Sequence, residues 1–459
     1  MDVEKLKQKI LDLAIRGKLV PQDPDDEPAS VLIEKIRAEK ENLIKQGKIK
    51  RDKNESYIFK GDDNSYYEKV GNDVKKIAVP FNIPDSWIWC RIGSYVPVIT
   101  DYVASGSFAS LNENVKYYQS PNYAILVRTC DFKTNFSSSL VWTDKHGYEF
   151  LSNSNLFGGE LILSNIGASI GKVFIVPKLP YRMTLAPNSI MVKATNDELN
   201  KYLLFVFQSA YGQNLLKSIS FSSAQAKFNK TDFRKQLIPV PPLNEQIKLM
   251  HHLESLFLTV SNIAKYYNDI TILAEQLKNK ILDSFFGENS RYKSYYTEKP
   301  LCEIAKIIFG QSPNGSSVIT QYSENGIEFH QGKTSFGDYY LEESNRWCIE
   351  PTKTTNGNSI VMSVRAPVGD VNICKRIICI GRGLCSIEPY SEINEMYLFY
   401  LLLSKKQYLE SKSTGSTFSA VNSKTVKEMK VVVCEDDIQR IIVDRIEKAF
   451  SFLDGIVSQ

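Results

Sequence analysis

The sequence predicts an α+β protein in which two globular modules are separated by two long antiparallel coiled-coil helical regions, the whole closing on itself in a pseudo-two-fold cyclic arrangement. Three observations carry this. "NEQIKLMHHLESLF" (Asn244–Phe257) and "DDIQRIIVDRIEKAF" (Asp436–Phe450) are similar helix starts, in register at Gln246 and Gln439, and each comes after a short β-like run. "LKQKILD" (Leu6–Asp12) and "LKNKILD" (Leu277–Asp283) differ at one position. The stretches between these strings resemble each other weakly and in the same order.

Taken along the chain, residues 1–50 open with the second half of a helical rod. A turn comes next at "DPDDE" (Asp23–Glu27), then a helix from about Pro28 to Lys45 closed by Gly47, then a basic tail. The carboxylates at Asp23–Glu27 read as a solvated helix entry and not as an acid/base pair. Residues 77–240 form the first module. The central rod, residues 244–289, reads as one helix from Asn244 to Phe286, about 60 Å long at ~1.5 Å per residue. Its apolar seam runs through Leu253, Phe257, Val260, Ala264, Tyr267, Ile270, Ala274, Leu277 and Ile281, nearly a heptad, and Gly287 stops it. Residues 295–433 form the second module, and 436–459 supply the first half of the rod whose second half opens the chain. The two rods are expected to run antiparallel with their seams packed together, and the termini to meet.

The modules align at three places: Asn165–Val176 with Ser363–Cys374 on Gly171 and Gly369, "KYLLFVFQSA" with "MYLFYLLLSK", and Ser220–Lys230 with Gly415–Lys424 on Asn229 and Asn422. Each mixes short strands with one or two helices and many turns. Their interiors differ more than their ends do, a pattern that suits two related modules reading two different things.

Composition narrows the function. Hydrophobic content of 43% and charged content of 24% suit packed cores, and no run approaches the ~18 apolar residues of a membrane helix. The N-terminus carries no apolar signal core, and eight scattered cysteines without a C-x-x-C pair read as reduced thiols, so a cytoplasmic location is expected. Four histidines give no metal-ligand spacing; His251 and His252 read as rod-surface residues. A net charge of +4 permits nucleic-acid binding through uneven placement of charge. "GASIGKV" (Gly167–Val173) has three residues between its glycines and Val173 after the lysine, so it reads as a β-turn and not as a phosphate loop. No nucleophile elbow, no His-Glu-x-x-His and no Asn/Asp-Pro-Pro-Tyr motif occurs, so no catalysis is assigned to this chain.

With these strings in place, the chain resembles the specificity subunit of type I restriction–modification systems. The resemblance rests on "LKQKILDLAIRGKLVPQDPDDEPASVLIEKIRAEK" (Leu6–Lys40), "IPDSWIWCRIGSY" (Ile83–Tyr95), "IPVPPLNEQ" (Ile238–Gln246) and "FHQGKTSFG…SVRAPVGDV…IGRGLCSI" between Phe329 and Ile387. It covers essentially the whole chain. It implies two target-recognition domains, each reading half of a bipartite double-stranded DNA target, with the rods setting the spacer. It also implies two methyltransferase subunits using S-adenosylmethionine and, for cleavage, two motor-nuclease subunits using ATP, with no cofactor in this chain. The extension after Gly17 has no counterpart after Gly287, so the frame is not symmetric there. The other function class the sequence allows is a non-catalytic coiled-coil adaptor that binds protein ligands.

Donor-rich loops supply the expected DNA contacts, since Arg, Lys, Asn and Gln serve both phosphates and base edges. In the first module these are Arg128, Lys133, Lys172, Gln225, Lys227, Asn229 and Lys230. In the second they are Gln331, Lys333, Thr334, Ser416, Thr417, Asn422 and Lys424, together with Arg365 and Arg382, whose strings "RAPVG" and "GRG" also suit turns.

Overall fold

Asp2 accepts a hydrogen bond from the Lys5 amide at 3.0 Å and so caps the opening helix, Val3–Ile15. The computed structural model describes residues 2–52, 55–221, 226–320, 322–413 and 420–458. They form two units, Met1–Ala264 and Lys265–Gln459, and the central helix Leu243–Phe286 passes from one into the other.

In the first unit a second helix, Ala29–Lys45, begins after Pro28 as the sequence predicts and buries Leu32, Ile33 and Ile36. Past the basic stretch that ends the extension, a small sheet fills residues to which the sequence assigned no element. Arg51 makes a bidentate pair with Glu41 at 2.7 and 2.6 Å, and three antiparallel strands come next: Ser56–Lys60, Tyr66–Val70 and Asp73–Ile77. The last two join through Gly71 and Asn72, with Val70 opposite Asp73. The sequence carried that signal, a Gly-Asn pair between β-like runs. The strands are short and heavily charged, so their alternation was weak.

One buried ion pair ties this sheet to the first module. The Glu68 carboxylate accepts from Arg91 Nε and Nη2, both at 2.8 Å, and Arg91 holds its pKa down to about 2. A carboxylate whose folded pKa lies below its ordinary 4.5 adds stability above that value, and the contribution is lost as pH falls through about 2. Hydrogen exchange across residues 56–77 should therefore quicken between pH 4.5 and 2. Glu68→Gln should loosen the sheet by about 2 kcal/mol at neutral pH and remove that pH dependence.

The first module closes at its neck, where Ile88–Arg91 pairs antiparallel with Leu237–Val240. Its main sheet has the order Val173–Ile175, Leu161–Ser164, Ser189–Lys193, Val98–Asp101, and the helices Asp197–Gln208 and Ala210–Ser218 lie beside it. A second sheet contains a parallel pair, Ala124–Val127 with Arg182–Leu185. The second module repeats the plan. Its neck pairs Thr297–Pro300 with Lys430–Val433, and its main sheet runs Val371–Cys374, Ser359–Ser363, Leu384–Pro389, Ala305–Phe309. Ile327–His330 and Cys379–Ile380 supply the parallel pair. Gly171 and Gly369 occupy the same turn with φ of +89° and +87°, a conformation that costs a residue with a Cβ. "GASIGKV" is therefore a hairpin turn, as read.

The helices pair antiparallel within each unit. In the first, Lys7 Nζ lies 6.0 Å from the Phe257 ring centroid, while Gln22, further along, meets Glu245 at 3.0 Å. In the second, Lys278 Nζ lies 5.4 Å from the Phe450 ring and 2.7 Å from Asp454, while the Arg445 guanidinium sits over Tyr292. Lys7 and Lys278 are the same position of the repeated string, and so are Phe257 and Phe450, so one cation–π contact occurs in both units. Two more contacts repeat. Gln246 and Gln439, both buried, donate to the carbonyls five residues back, Pro241 and Cys434, at 2.9 and 2.8 Å. Tyr202 and Tyr397 donate to Pro239 and Val432 in the neck strands.

The seam is less continuous than its heptad suggests. Leu253, Val260 and Ala274 are buried, whereas Tyr267, Ile270 and Leu277 are exposed. Burial concentrates where a helix end meets both a module and another helix: Leu249, Met250 and Leu253 join the first core, and Leu282, Phe285 and Phe286 join the second.

Candidate nucleic-acid interface

Two clefts occupy matching places in the two modules. Each lies where the main-sheet turn begins, beside the start of the adjoining central strand and the segment that leads to a capping asparagine. In the first module a bridge between Ile166 and Lys227 ties the turn to that segment; in the second, Arg365 bridges Ala420. Asn229 then caps the helix Lys230–Arg234 by accepting from the Asp232 amide, and Asn422 caps Ser423–Lys427 by accepting from the Thr425 amide, each at 2.8 Å.

The clefts differ in content. The first, about 420 Å³, is lined by Phe108, Asn165, Asn188, Phe221, Lys227 and Asn229 among others, with Phe108 68% and Phe221 65% exposed. The second, about 160 Å³, is lined by Gln331, Lys333, Arg365 and Arg382 with the backbone of Gly332 and Gly383. The structure thus gathers four second-module residues that the sequence had placed on three separate strings. Gly383 explains part of the geometry: its amide donates to the Gln331 carbonyl at 3.1 Å, and a Cβ there would stand 2.3 Å from that oxygen. The turn carrying Arg382 is held tightly against the strand end carrying Gln331.

Apart from Lys227, Gln331, Arg365 and Arg382, the expected contacts fall into three groups. Some are committed to internal partners. The Arg128 guanidinium bonds Asp131 at 2.6 Å and the Ser139 carbonyl at 2.6 Å, and Asp131 raises its pKa, so this arginine organises its own loop. Lys230 pairs with Asp101 at 2.8 Å, and Lys333 with Asp370 at 2.6 Å. Burial opposes ionisation of Asp370, but Lys333 and Lys406 outweigh it and hold the carboxyl below its usual range. Asn229 and Asn422 spend their carboxamide oxygens on helix caps. A second group, Lys133, Lys172, Thr334 and Lys424, is exposed and lines neither cleft. Gln225, Ser416 and Thr417 lie outside the described residues.

Arg365 and Arg382 are different. Both are exposed, and neither has a carboxylate partner among the described residues; Arg382 Nε meets only Ser312 Oγ, at 3.3 Å. Sequence reasoning missed Phe108, Asn165, Asn188 and Phe221. Asn188 could have been found from its neighbourhood, since "APNS" places an asparagine, here at φ +68°, directly before a central strand. His251 and His252 are exposed on the central helix, as read. No group of three or more metal-ligating side chains occurs among the described residues, and no helix among them is long and apolar enough to cross a membrane.

Comparison with known proteins accords with this duplicated frame. The type I restriction modification DNA specificity domain matches twice, at residues 99–271 and 296–456. A Methanocaldococcus jannaschii protein assigned as the type I restriction enzyme MjaX specificity subunit is 29% identical over 334 residues, which is 68% of this chain and 77% of that one. The Escherichia coli EcoAI specificity subunit is 31% identical over 262 residues, 54% of this chain and 38% of that one. Among solved structures, a chain from work on complex assembly and conformational transition of the type I R-M system superposes with a TM-score of 0.65 at 22% identity, over 83% of this chain and 94% of that one. The HsdS subunit from Thermoanaerobacter tengcongensis gives 0.52 at 22% identity, over 82% and 92%. With both modules matched in turn and the fold shared with an HsdS subunit, the chain belongs to the type I restriction–modification DNA specificity family.

Proposed function

We propose that this chain is the non-catalytic DNA-reading subunit of a type I restriction–modification complex, and that each module reads one half of a bipartite double-stranded target. The observation that carries this reading is the pair of clefts, alike in position and unlike in lining. A frame used twice with different side chains at the same place suits recognition of two different sequences by one geometry. The helical regions would set the unread spacer and dock two methyltransferase subunits. The central helix, 44 residues and so about 66 Å long, is ample for half-sites one DNA turn apart, roughly 34 Å. S-adenosylmethionine and ATP with its magnesium would belong to the methyltransferase and the two motor-nuclease partners.

The test is a module exchange. A chain carrying residues 295–433 of a relative with a different target, expressed with its methyltransferase partner, should change one half of the methylated motif and leave the other half and the spacer as they were. Sequencing of methylated bases in the host genome reads this directly. A change in both halves would defeat the modular assignment.

A further inference from the structure

The contents of the two clefts lead beyond bipartite reading to which base pairs each half contains. We propose that the second module reads a G·C pair through Arg382, with Arg365 beside it, and that the first module reads an A·T pair through Asn188 and the exposed rings of Phe108 and Phe221. The inference rests on the bipartite reading and deepens it.

The chemistry is that of the major groove. Guanine offers two acceptors, O6 and N7, spaced to match the fork of an arginine, while adenine offers one acceptor and one donor, which match a carboxamide. Thymine adds a methyl group, which apolar side chains recognise by contact. In the second cleft, two arginines without a carboxylate partner among the described residues stand together, beside the Gln331 side chain. The backbone beneath Arg382 is locked: Gly381 donates to the His330 carbonyl at 2.7 Å, Gly383 to that of Gln331 at 3.1 Å, and Leu384 back to Gly381 at 3.0 Å. An arginine on a fixed turn starts from a fixed Cα, so less freedom is lost in placing its planar fork for a bidentate contact, which a phosphate contact does not need.

The first cleft has no arginine in its lining among the described residues. Its basic residue there is Lys227, a flexible point charge suited to a phosphate. Asn165 is not the reader: its Nδ2 donates to the Phe228 carbonyl at 3.0 Å and its Oδ1 is buried. Asn188 is exposed on the rim, where its carboxamide can meet a base edge. Two phenylalanines each about two-thirds exposed beside it would otherwise be costly surface, and a thymine methyl is a fitting apolar partner.

The experiment uses the chain assembled with its methyltransferase partner and a duplex library randomised at each position of the target. For the unaltered complex, the half assigned to the second module by the module exchange should contain a required guanine, and the other half a required A·T pair besides the methylated one. Arg382→Ala should cut preference for that guanine roughly tenfold to a hundredfold at one position, with the other half unaffected. Arg382→Lys, which keeps the charge but loses the fork, should do nearly the same. Asn188→Ala should relax one A·T position in the first half only. Unchanged melting of the complexes shows that these surface variants remain folded. The proposal is overturned if Arg382→Ala weakens all sequences equally with a shallower salt dependence while Arg382→Lys restores binding, since that describes a phosphate contact. A target without two halves would instead defeat the bipartite reading itself, whereas two halves with an unaltered guanine preference in Arg382→Ala would defeat this inference alone.

Discussion

Leu282→Asp should abolish stable folding of the second unit, and Leu11→Asp should do the same in the first. The two leucines are the same position of the repeated string and are 1% and 2% exposed. Leu282 packs in the core that holds Ile442, Ile446 and Phe450 of the closing helix, Asp436–Ser458. Leu11 packs in the core that holds Leu249 and Leu253 of the central helix. Removing a buried leucine costs about 2–5 kcal/mol, and placing an unpaired carboxylate there adds several more. A total of roughly 5 kcal/mol or more is comparable with the whole stability of a domain. Loss of soluble protein and of a cooperative melting transition would register it. Leu277→Asp and Leu6→Asp are the matched controls: these leucines open the same repeated strings five residues earlier, on a different side of the helix, and are 38% and 37% exposed, so each change should cost less than about 1 kcal/mol. Equal damage from Leu282→Asp and Leu277→Asp would mean that the seam is buried along its full length.

The second large effect is expected at the paired glutamines. Gln439 is buried, accepts from the Asn394 amide at 2.8 Å, and donates to the carbonyls of Cys434 at 2.8 Å and Glu392 at 3.1 Å. It thereby fastens the start of the closing helix to the residue that caps the module helix Glu395–Ser404. Gln246 accepts from the Tyr95 hydroxyl at 2.8 Å and donates to the Pro241 carbonyl at 2.9 Å. Replacing either glutamine by leucine keeps most of the volume but strands buried polar groups at about 1–3 kcal/mol each, so a loss near 3 kcal/mol is expected, read as a drop in melting temperature. Tyr95→Phe combined with Gln246→Leu should recover part of that loss, because both partners of one bond are then gone. A strictly additive double variant would show that the hydroxyl is satisfied elsewhere.

How legible each part was depends on the range of the signal. The rods were legible because a helix repeats its environment every three to four residues, and "LKxKILD" repeated an entire contact surface, Lys7 and Lys278 included. Module duplication showed where the backbone itself dictates the residue: glycine at Gly171 and Gly369, a capping side chain at Asn229 and Asn422. The three-stranded sheet past the extension was not read, since its strands are short and charged and part of what holds it to the module is a long-range pair, Glu68 with Arg91.

The candidate site divides in the same way. The sequence by itself determined the two-module frame, the rod boundaries near Leu243 and Phe286, and the residue types able to meet a base or a phosphate. Only the tertiary structure decided which of those residues are available. Arg128, Lys230 and Lys333 read as donors no differently from Arg365 and Arg382, yet carboxylates held close by the fold occupy the first three. Composition records that a cation is present; whether another part of the chain neutralises it is fixed by packing. Asn188 and Arg382 come to matching clefts because each directly precedes a central strand, or lies one glycine before it, in a sheet whose order no local pattern encodes.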